Sequence, residues 1–364
     1  MALTHNRVFN FSAGPCTLPE EVLQEIQEDL FNYKGHGMSV MEMSHRSSVF
    51  IGIMEQTIAD FRQLAKVPDN YHVMFLQGGA SLQNSMLPMN LWEKGKSVEY
   101  VVTGYWGQKT LEAAEQMGKV NVLYQGKADG YKDIAPIGDL PTDPNASYLH
   151  YVSNETIHGV QYPADPDFNG TLVCDMSSEI LSRPFDVSKY GMIYAGAQKN
   201  MGPAGATLVI LRDDLVNRIP ENMQVMLDYG QFARNGSMPN TPPCWSIYVC
   251  GLVYQHLLRN GGLEVAEKKN IEKARLLYDA VDGSDGFYTG HAARRARSRM
   301  NVTFALPTPE LTKQFVKESA AHNLDGMAGH RSLGGIRASM YNAFPVEGAK
   351  VMAEYMRDFA CKNG

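Results

Sequence analysis

Lys199 and Asp175 are the two residues whose types and surroundings specify a chemistry. Lys199 lies in the stretch Ile193-Tyr-Ala-Gly-Ala-Gln-Lys-Asn-Met-Gly-Pro-Ala-Gly205. An apolar run, 192–197, leads into it, and a Gly/Pro turn and a second apolar run, 206–211, follow. A lysine at the mouth of a sheet, among small residues, is placed to react. Asp175 closes another apolar run, 171–175, where an unpaired carboxylate is costly and calls for a cation. Alone, a lysine at a strand end is ordinarily a solvated side chain. The pair, 24 residues apart on neighbouring strands, is what pyridoxal phosphate (PLP) chemistry requires. The lysine forms the Schiff base. The aspartate keeps the pyridine nitrogen protonated, so that the ring draws electrons from the substrate Cα.

A phosphate needs a cradle, and Gly78-Gly-Ala-Ser81 stands between a strand and a helix, where backbone N–H groups meet anions. Glycine turns before helices are common, so this signal is weak by itself. Lys94-Gly-Lys-Ser97 imitates the end of a P-loop, but Asn90 stands where its first glycine is required. Trp106 follows the strand 98–103 and is either a core aromatic or a ring stacked on the pyridine face. Thr156, after the strand 148–152, is either a capping residue or a donor to the ring hydroxyl. His45-Arg46 precedes a helix, and His330-Arg331 and Arg337 surround the turn Gly334-Gly335. Two His-Arg dipeptides and a further arginine in an acidic chain point to a substrate with two anionic ends, one of them gripped bidentately. No HExxH, CxxC or other metal-ligand spacing occurs, and no metal is expected.

The elements that must position these residues alternate. Strands are predicted over 72–77, 98–103, 120–124, 148–152, 171–175, 192–197 and 206–211, with helices over 82–92 and 106–117 between them. This is the pattern of an α/β fold with a mostly parallel open sheet, which binds ligands at the carboxyl ends of its strands. Helices are also predicted over 20–33, 49–66, 245–259 and 264–280. A smaller α+β lobe follows, with strands over 299–304 and 335–340 and helices over 310–321 and 346–359. The expected division is an extended arm, 1–18, packing with the small domain, a large domain, 19–260, and a small domain, 261–364. Arg294-Arg-Ala-Arg297 reads as a solvated turn.

The 364 residues carry a net charge of −6, which argues against nucleic acid or an anionic membrane as partner. Five cysteines without CxxC spacing read as reduced thiols of a cytoplasmic protein. The amino terminus shows no apolar signal core, and no apolar run approaches the roughly 18 residues of a membrane span. The sequons at Asn145, Asn154 and Asn301 are therefore expected to carry no glycan.

Ordered blocks along the chain carry a resemblance: Phe9-Asn-Phe-Ser-Ala-Gly-Pro15, Ser39-Val-Met-Glu-Met-Ser-His-Arg46, Gly104-Tyr-Trp106, Asn154-Glu-Thr-Ile157, Leu181-Ser-Arg-Pro184, Tyr194-Ala-Gly-Ala-Gln-Lys-Asn200, Gly236-Ser-Met-Pro-Asn-Thr-Pro-Pro243, Ser298-Arg-Met-Asn301, Gly329-His-Arg331 and Arg337-Ala-Ser-Met-Tyr-Asn342. With these the chain closely resembles the phosphoserine aminotransferase family, within the class V aminotransferases of PLP fold type I. The resemblance implies that Lys199 and Asp175 have the roles given above, that Trp106 stacks on the ring and that Thr156 bonds the ring oxygen. It implies that Ala80, Ser81 and Gln198 hold the phosphate, and that Asn240 and Thr241 complete the cup from the second subunit of a homodimer. Arg337 would take the α-carboxylate. His45, Arg46, His330 and Arg331 would take the phosphate of phosphoserine or the distal carboxylate of glutamate. The implied reaction is reversible transamination between glutamate and 3-phosphohydroxypyruvate, giving O-phosphoserine and 2-oxoglutarate in serine biosynthesis. In many bacteria the family also serves a phosphohydroxythreonine step of pyridoxine biosynthesis. One departure is Ser81, where some members carry arginine. The competing reading is another class V enzyme, such as a cysteine desulfurase, which needs a mobile nucleophilic cysteine.

Overall fold

The computed structural model describes residues 5–364; the first four residues of the expected arm lie outside the described residues. Its centre is a seven-stranded sheet in the order Tyr71–Leu76, Thr207–Arg212, Met192–Gly196, Leu172–Asp175, Leu149–Val152, Glu99–Val102, Asn121–Gln125. The last five of these run parallel to one another. Thr207–Arg212 is antiparallel to both of its neighbours. Two reversals leave Tyr71–Leu76 pointing the same way as the five, so its carboxyl end opens onto the same edge. That edge receives the chain after Leu76, Val102, Val152, Asp175 and Gly196, the places where the sequence expects the site.

The strands are apolar on both faces because helices cover both. Phe75, Tyr151, Cys174 and Ile193 face the helices Ser48–Ala65 and Cys244–Arg259. Their neighbours Met74, Tyr100, Val173 and Tyr194 face the helices Gly79–Leu91 and Tyr105–Glu115. Alternate residues thus belong to different cores, as period-2 side-chain geometry demands. Ser47 begins the long helix Ser48–Ala65, its hydroxyl accepting from the N–H of Phe50 at 3.2 Å.

A third core occupies the carboxyl-terminal part of the chain. There a three-stranded antiparallel sheet, Thr289–Gly290, Asn301–Ala305 and Ile336–Ser339, packs with the helices Pro309–Ser319 and Val346–Asn363. Helix Gly262–Asp282 crosses between cores: Leu263 and Ala266 belong to the first, Leu277 and Val281 to the third. The amino-terminal arm joins this third core. Phe9–Asn10 pairs in parallel with Leu324–Asp325, and Phe11 is completely buried there. Burying one such side chain contributes about 1.5–3 kcal/mol, which holds the arm in place.

The structure departs from the sequence reading in several places. Gly78, at φ +85°, turns the chain in a left-handed conformation, so the helix starts at Gly79 and Ala80 and Ser81 lie in its first turn instead of a loop. The first helix stops at Asp29. Arg297 is not solvated: it forms a two-pronged ion pair with Asp282, at 2.6 and 2.9 Å, and lies over the Tyr278 ring. Asn154 and Asn301 are buried and bonded to each other at 2.8 Å, so neither sequon is accessible. A small hairpin, Asn154–Glu155 with Val160–Gln161, has no counterpart among the predicted elements.

Candidate active site

The parallel strand ends surround a cavity of about 280 Å³. Ala80, Ser81, Trp106, Thr156, Asp175, Gln198, Lys199, His330 and Arg337 all line it. At one end the N–H groups of Gly79, Ala80 and Ser81 precede the first intrahelical bond, from Leu82 to the carbonyl of Gly78 at 3.3 Å. They are free to meet an anion, at the positive end of the helix.

Lys199 keeps partial exposure through this cavity. Its Nζ donates to Thr156 Oγ1 at 2.8 Å. Burial pulls its amine down to about 8; nearby Asp175 opposes that pull, while Arg337 adds to it. Asp175 is buried, accepts from the N–H of Ser177 at 2.8 Å, and is pushed up by burial against that bond and the charge of Lys199. Among the described residues no basic side chain forms an ion pair with it. A protonated ring nitrogen is the cation that such a carboxylate lacks.

Arg337 projects from Ile336–Ser339 into the same space, and burial holds its guanidinium below the ordinary arginine value. Its side chain has no hydrogen-bond or ion-pair partner among the described residues. A guanidinium left with all five donors free beside a reactive amine is an anion receptor. His330 stands next to it, 5.6 Å from the ring of Tyr105, with Nδ1 2.8 Å from Ser332 Oγ. Burial, then the charges of Arg337 and Arg331, disfavour its protonation. Trp106 forms a wall, its ring edge-on to Tyr105 at 5.2 Å and its Nε1 buried without a partner.

His45, Arg46, Asn240, Thr241 and Arg331 do not line this cavity. Arg331 is exposed on the rim loop next to His330, and Arg46 is exposed before the helix Ser48–Ala65. Asn240 and Thr241 accept from the side chain of Gln77, at 3.2 and 3.1 Å, just before the cradle.

Other residues in the cavity were not singled out in the sequence. Asn84 lies one helical turn beyond Ala80, and its Oδ1 is 3.2 Å from Thr110 Oγ1 and 3.3 Å from the hydroxyl of Tyr194. Extending the cradle by a period of four would have found it. Ala13 and Gly14 of the arm also line the cavity, and Cys16 Sγ donates to the carbonyl of Lys199 at 2.9 Å. Glu155 lies behind Trp106, its carboxylate accepting from the N–H groups of Trp106 and Gly107.

An α/β sheet whose strand ends join a half-buried lysine, a buried aspartate and an anion cradle defines a PLP-dependent enzyme. The class-V aminotransferase family model matches residues 8–352, and the chain belongs to that family. It is 50% identical to the phosphoserine aminotransferase of Laribacter hongkongensis (strain HLHK9), over 98% of this chain and 99% of that protein. A solved structure of phosphoserine aminotransferase from Bacillus circulans subsp. alkalophilus matches with a TM-score of 0.96 and 44% identity, covering 98% of this chain and 99% of the other. A PLP-bound phosphoserine aminotransferase from Trichomonas vaginalis matches with a TM-score of 0.88 and 34% identity, over 96% and 100% of the two chains. The desulfurase alternative fails with these likenesses, and chemically no cysteine lines the cavity. Cys16, the cysteine bonded to the Lys199 loop, is pushed up to about 12 by burial.

Proposed function

We propose that this chain moves an amino group reversibly between glutamate and 3-phosphohydroxypyruvate, giving O-phosphoserine and 2-oxoglutarate. The observation that carries this reading is the unpartnered Arg337 guanidinium in one cavity with Lys199 and Asp175. Both amino acids and both oxo acids have an α-carboxylate for Arg337 and a second anionic end.

The residues fit PLP. The free N–H groups of Gly79, Ala80 and Ser81, with Gln198, would take its phosphate; Asp175 would face its ring nitrogen; and Trp106 would cover one ring face. When bound, PLP supplies an aldehyde that takes up the amino group and a ring that withdraws electrons from Cα. The chain's own part is proton movement and orientation. Lys199, with its amine near 8, would take the proton from the Cα of the amino-acid substrate and, in the reverse half of the reaction, deliver one to the Cα of the oxo-acid substrate. Thr156 keeps Nζ at 2.8 Å while it waits. Arg337 fixes the α-carboxylate, and so sets which face of Cα meets Lys199. Trp106 and His330 both line the cavity beside Lys199. Ser81 retains its backbone donor, so the cradle works without the arginine of some relatives.

In a homodimer Asn240 and Thr241 would complete the phosphate cradle of the other copy, and His45 and Arg46 would serve the distal anion. Arg331, beside His330, would serve the distal anion. The division into an arm, 1–18, a large domain, 19–260, and a small domain, 261–364, is proposed on the separate third core. The cytoplasm is proposed as the compartment, on five cysteines that are all unpaired. Among the described residues no helix is long and apolar enough to cross a membrane.

The test is direct. Purified protein with PLP, glutamate and 3-phosphohydroxypyruvate is expected to yield O-phosphoserine and 2-oxoglutarate. Turnover of alanine or cysteine in its place, with no O-phosphoserine formed, would refute the assignment.

A further inference from the structure

Glu155 has no exposed surface, yet no cation pairs with it among the described residues. Its two oxygens are instead divided between two backbone donors. Oε2 accepts from the N–H of Trp106 at 3.0 Å, and Oε1 from the N–H of Gly107 at 2.8 Å. Both donors belong to the first turn of Tyr105–Glu115, where N–H groups have no partner within the helix. The residue at the cap position, Gly104, has no side chain with which to serve them. A serine or aspartate there would be the ordinary solution. It is sterically barred, because a Cβ on Gly104 would stand 2.3 Å from Cδ of Glu155. The chain thus replaces a local cap with a carboxylate reaching in from the hairpin Asn154–Glu155, at the cost of burying a charge. Burial, with a smaller push from the charge of Asp175, drives that carboxyl up to about 7, against the two N–H bonds and the charge of Lys199.

What this arrangement secures is a distance. The turn that Glu155 grips carries Trp106, and the next residue along the chain, Thr156, holds Nζ of Lys199 at 2.8 Å. One side chain therefore ties the aromatic wall of the cavity to the support of the reactive amine. We propose that Glu155 is a positioning residue, which clamps the amino end of the helix Tyr105–Glu115 and so sets the Trp106 ring against the cofactor at a fixed spacing from Lys199. The inference rests on the reading of Trp106 as the wall of the cofactor site.

Glu155→Gln leaves one acceptor and turns an NH₂ group towards the second N–H donor. In the cofactor-free protein, the near-ultraviolet circular dichroism contributed by Trp106, obtained by difference against Trp106→Ala, is expected to collapse. The Kd for PLP is expected to weaken about tenfold, equivalent to ~1.4 kcal/mol. In a Trp106→Ala background the same substitution is expected to change Kd by less than about twofold, since the ring it acts through is gone. Gly104→Ala, which displaces the carboxylate without altering it, is expected to reproduce the spectral loss if Glu155→Gln fails to fold. A Glu155→Gln protein that melts earlier but keeps the Trp106 signal and the PLP affinity would reduce Glu155 to a structural cap and overturn the proposal. Additive losses of affinity in the double variant would overturn it too. If Trp106→Ala alone leaves the PLP Kd unchanged, the cofactor-wall reading falls, and the proposal with it.

Discussion

Lys199 and Lys273 are both lysines drawn out of water, and they end in opposite conditions. Lys273, on the helix Gly262–Asp282, has no exposed surface, and its Nζ donates to the carbonyls of Met340, Tyr341 and Phe344 at 3.1, 2.6 and 3.2 Å. A lysine Nζ offers at most three donors, and here three acceptors surround it. Lys199 has one bond, to Thr156, and an open side facing the cavity. Burial disfavours the charged form of both. At Lys273 burial and the charge of Lys269 pull the amine down further, to about 7, yet three carbonyls hold its Nζ, and the side chain becomes a strut under the segment after the Arg337 strand. At Lys199 the donors left unused are what make the amine available. Burial alone does not make a lysine reactive; the number of acceptors around it decides.

This contrast breaks or sharpens under substitution. Lys199→Ala is expected to lower turnover by at least roughly 10³, as loss of a nucleophile that also moves the proton should. The same protein should retain a wild-type circular dichroism spectrum and melting profile; measurable turnover near wild type would end the assignment of Lys199. Arg337→Ala is expected to reduce kcat/KM for glutamate by about 10²-fold through loss of charge-assisted bonds, while PLP titrates as before. Equal damage to PLP binding would make Arg337 structural, like Lys273. Lys273→Met should act the other way round. It leaves three buried carbonyls without a donor, and a loss of about 3 kcal/mol is expected in urea unfolding, with kcat little changed in the folded fraction. Unchanged stability would remove the distinction between the two lysines.

The smallest effect is in pH. The amine of Lys199 sits at about 8 in the fold and near the ordinary 10.5 once unfolded. Its neutral fraction therefore rises through pH 8, and labelling of Lys199 by an amine reagent should increase about tenfold from pH 7 to 9 and then level off. Between about 8 and 10.5 the unfolded chain binds a proton that the native one does not, so this group's contribution to stability rises with pH in that window. Labelling that keeps climbing to pH 10.5 would mean a solvated amine. Lys273 should stay unlabelled in the native protein throughout.

Reagent and strut are not equally visible in the sequence. Lys199 and Asp175 sit at the ends of short apolar runs, and strand direction alone brings them to one edge. The cradle was legible for the same reason, although Gly78 begins the helix earlier than its glycines suggested. Lys273 reads as one more cation on the charged face of a helix, because its acceptors are backbone carbonyls about 70 residues later. Glu155 is hidden likewise: its donors lie 48 and 49 residues earlier, and a backbone N–H carries no residue code. Ala13 and Gly14 became part of the cavity only when the arm crossed to the third core. His45 was marked by its dipeptide with Arg46 and Asn240 by resemblance, and one chain's own cavity gathers neither.

The arm also imposes an order on maturation. Residues 9–16 leave the ribosome long before their partners, for Phe9 is registered against Leu324, and Tyr341 donates its hydroxyl to the carbonyl of Ala13. The large sheet can assemble while translation continues, but the strip of cavity wall made by Ala13 and Gly14 cannot dock until the third core exists. A nascent chain stalled before residue 324 would therefore hold Lys199 and Asp175 in a pocket still missing one side, and competence for the cofactor waits for the segment that carries Leu324 and Tyr341.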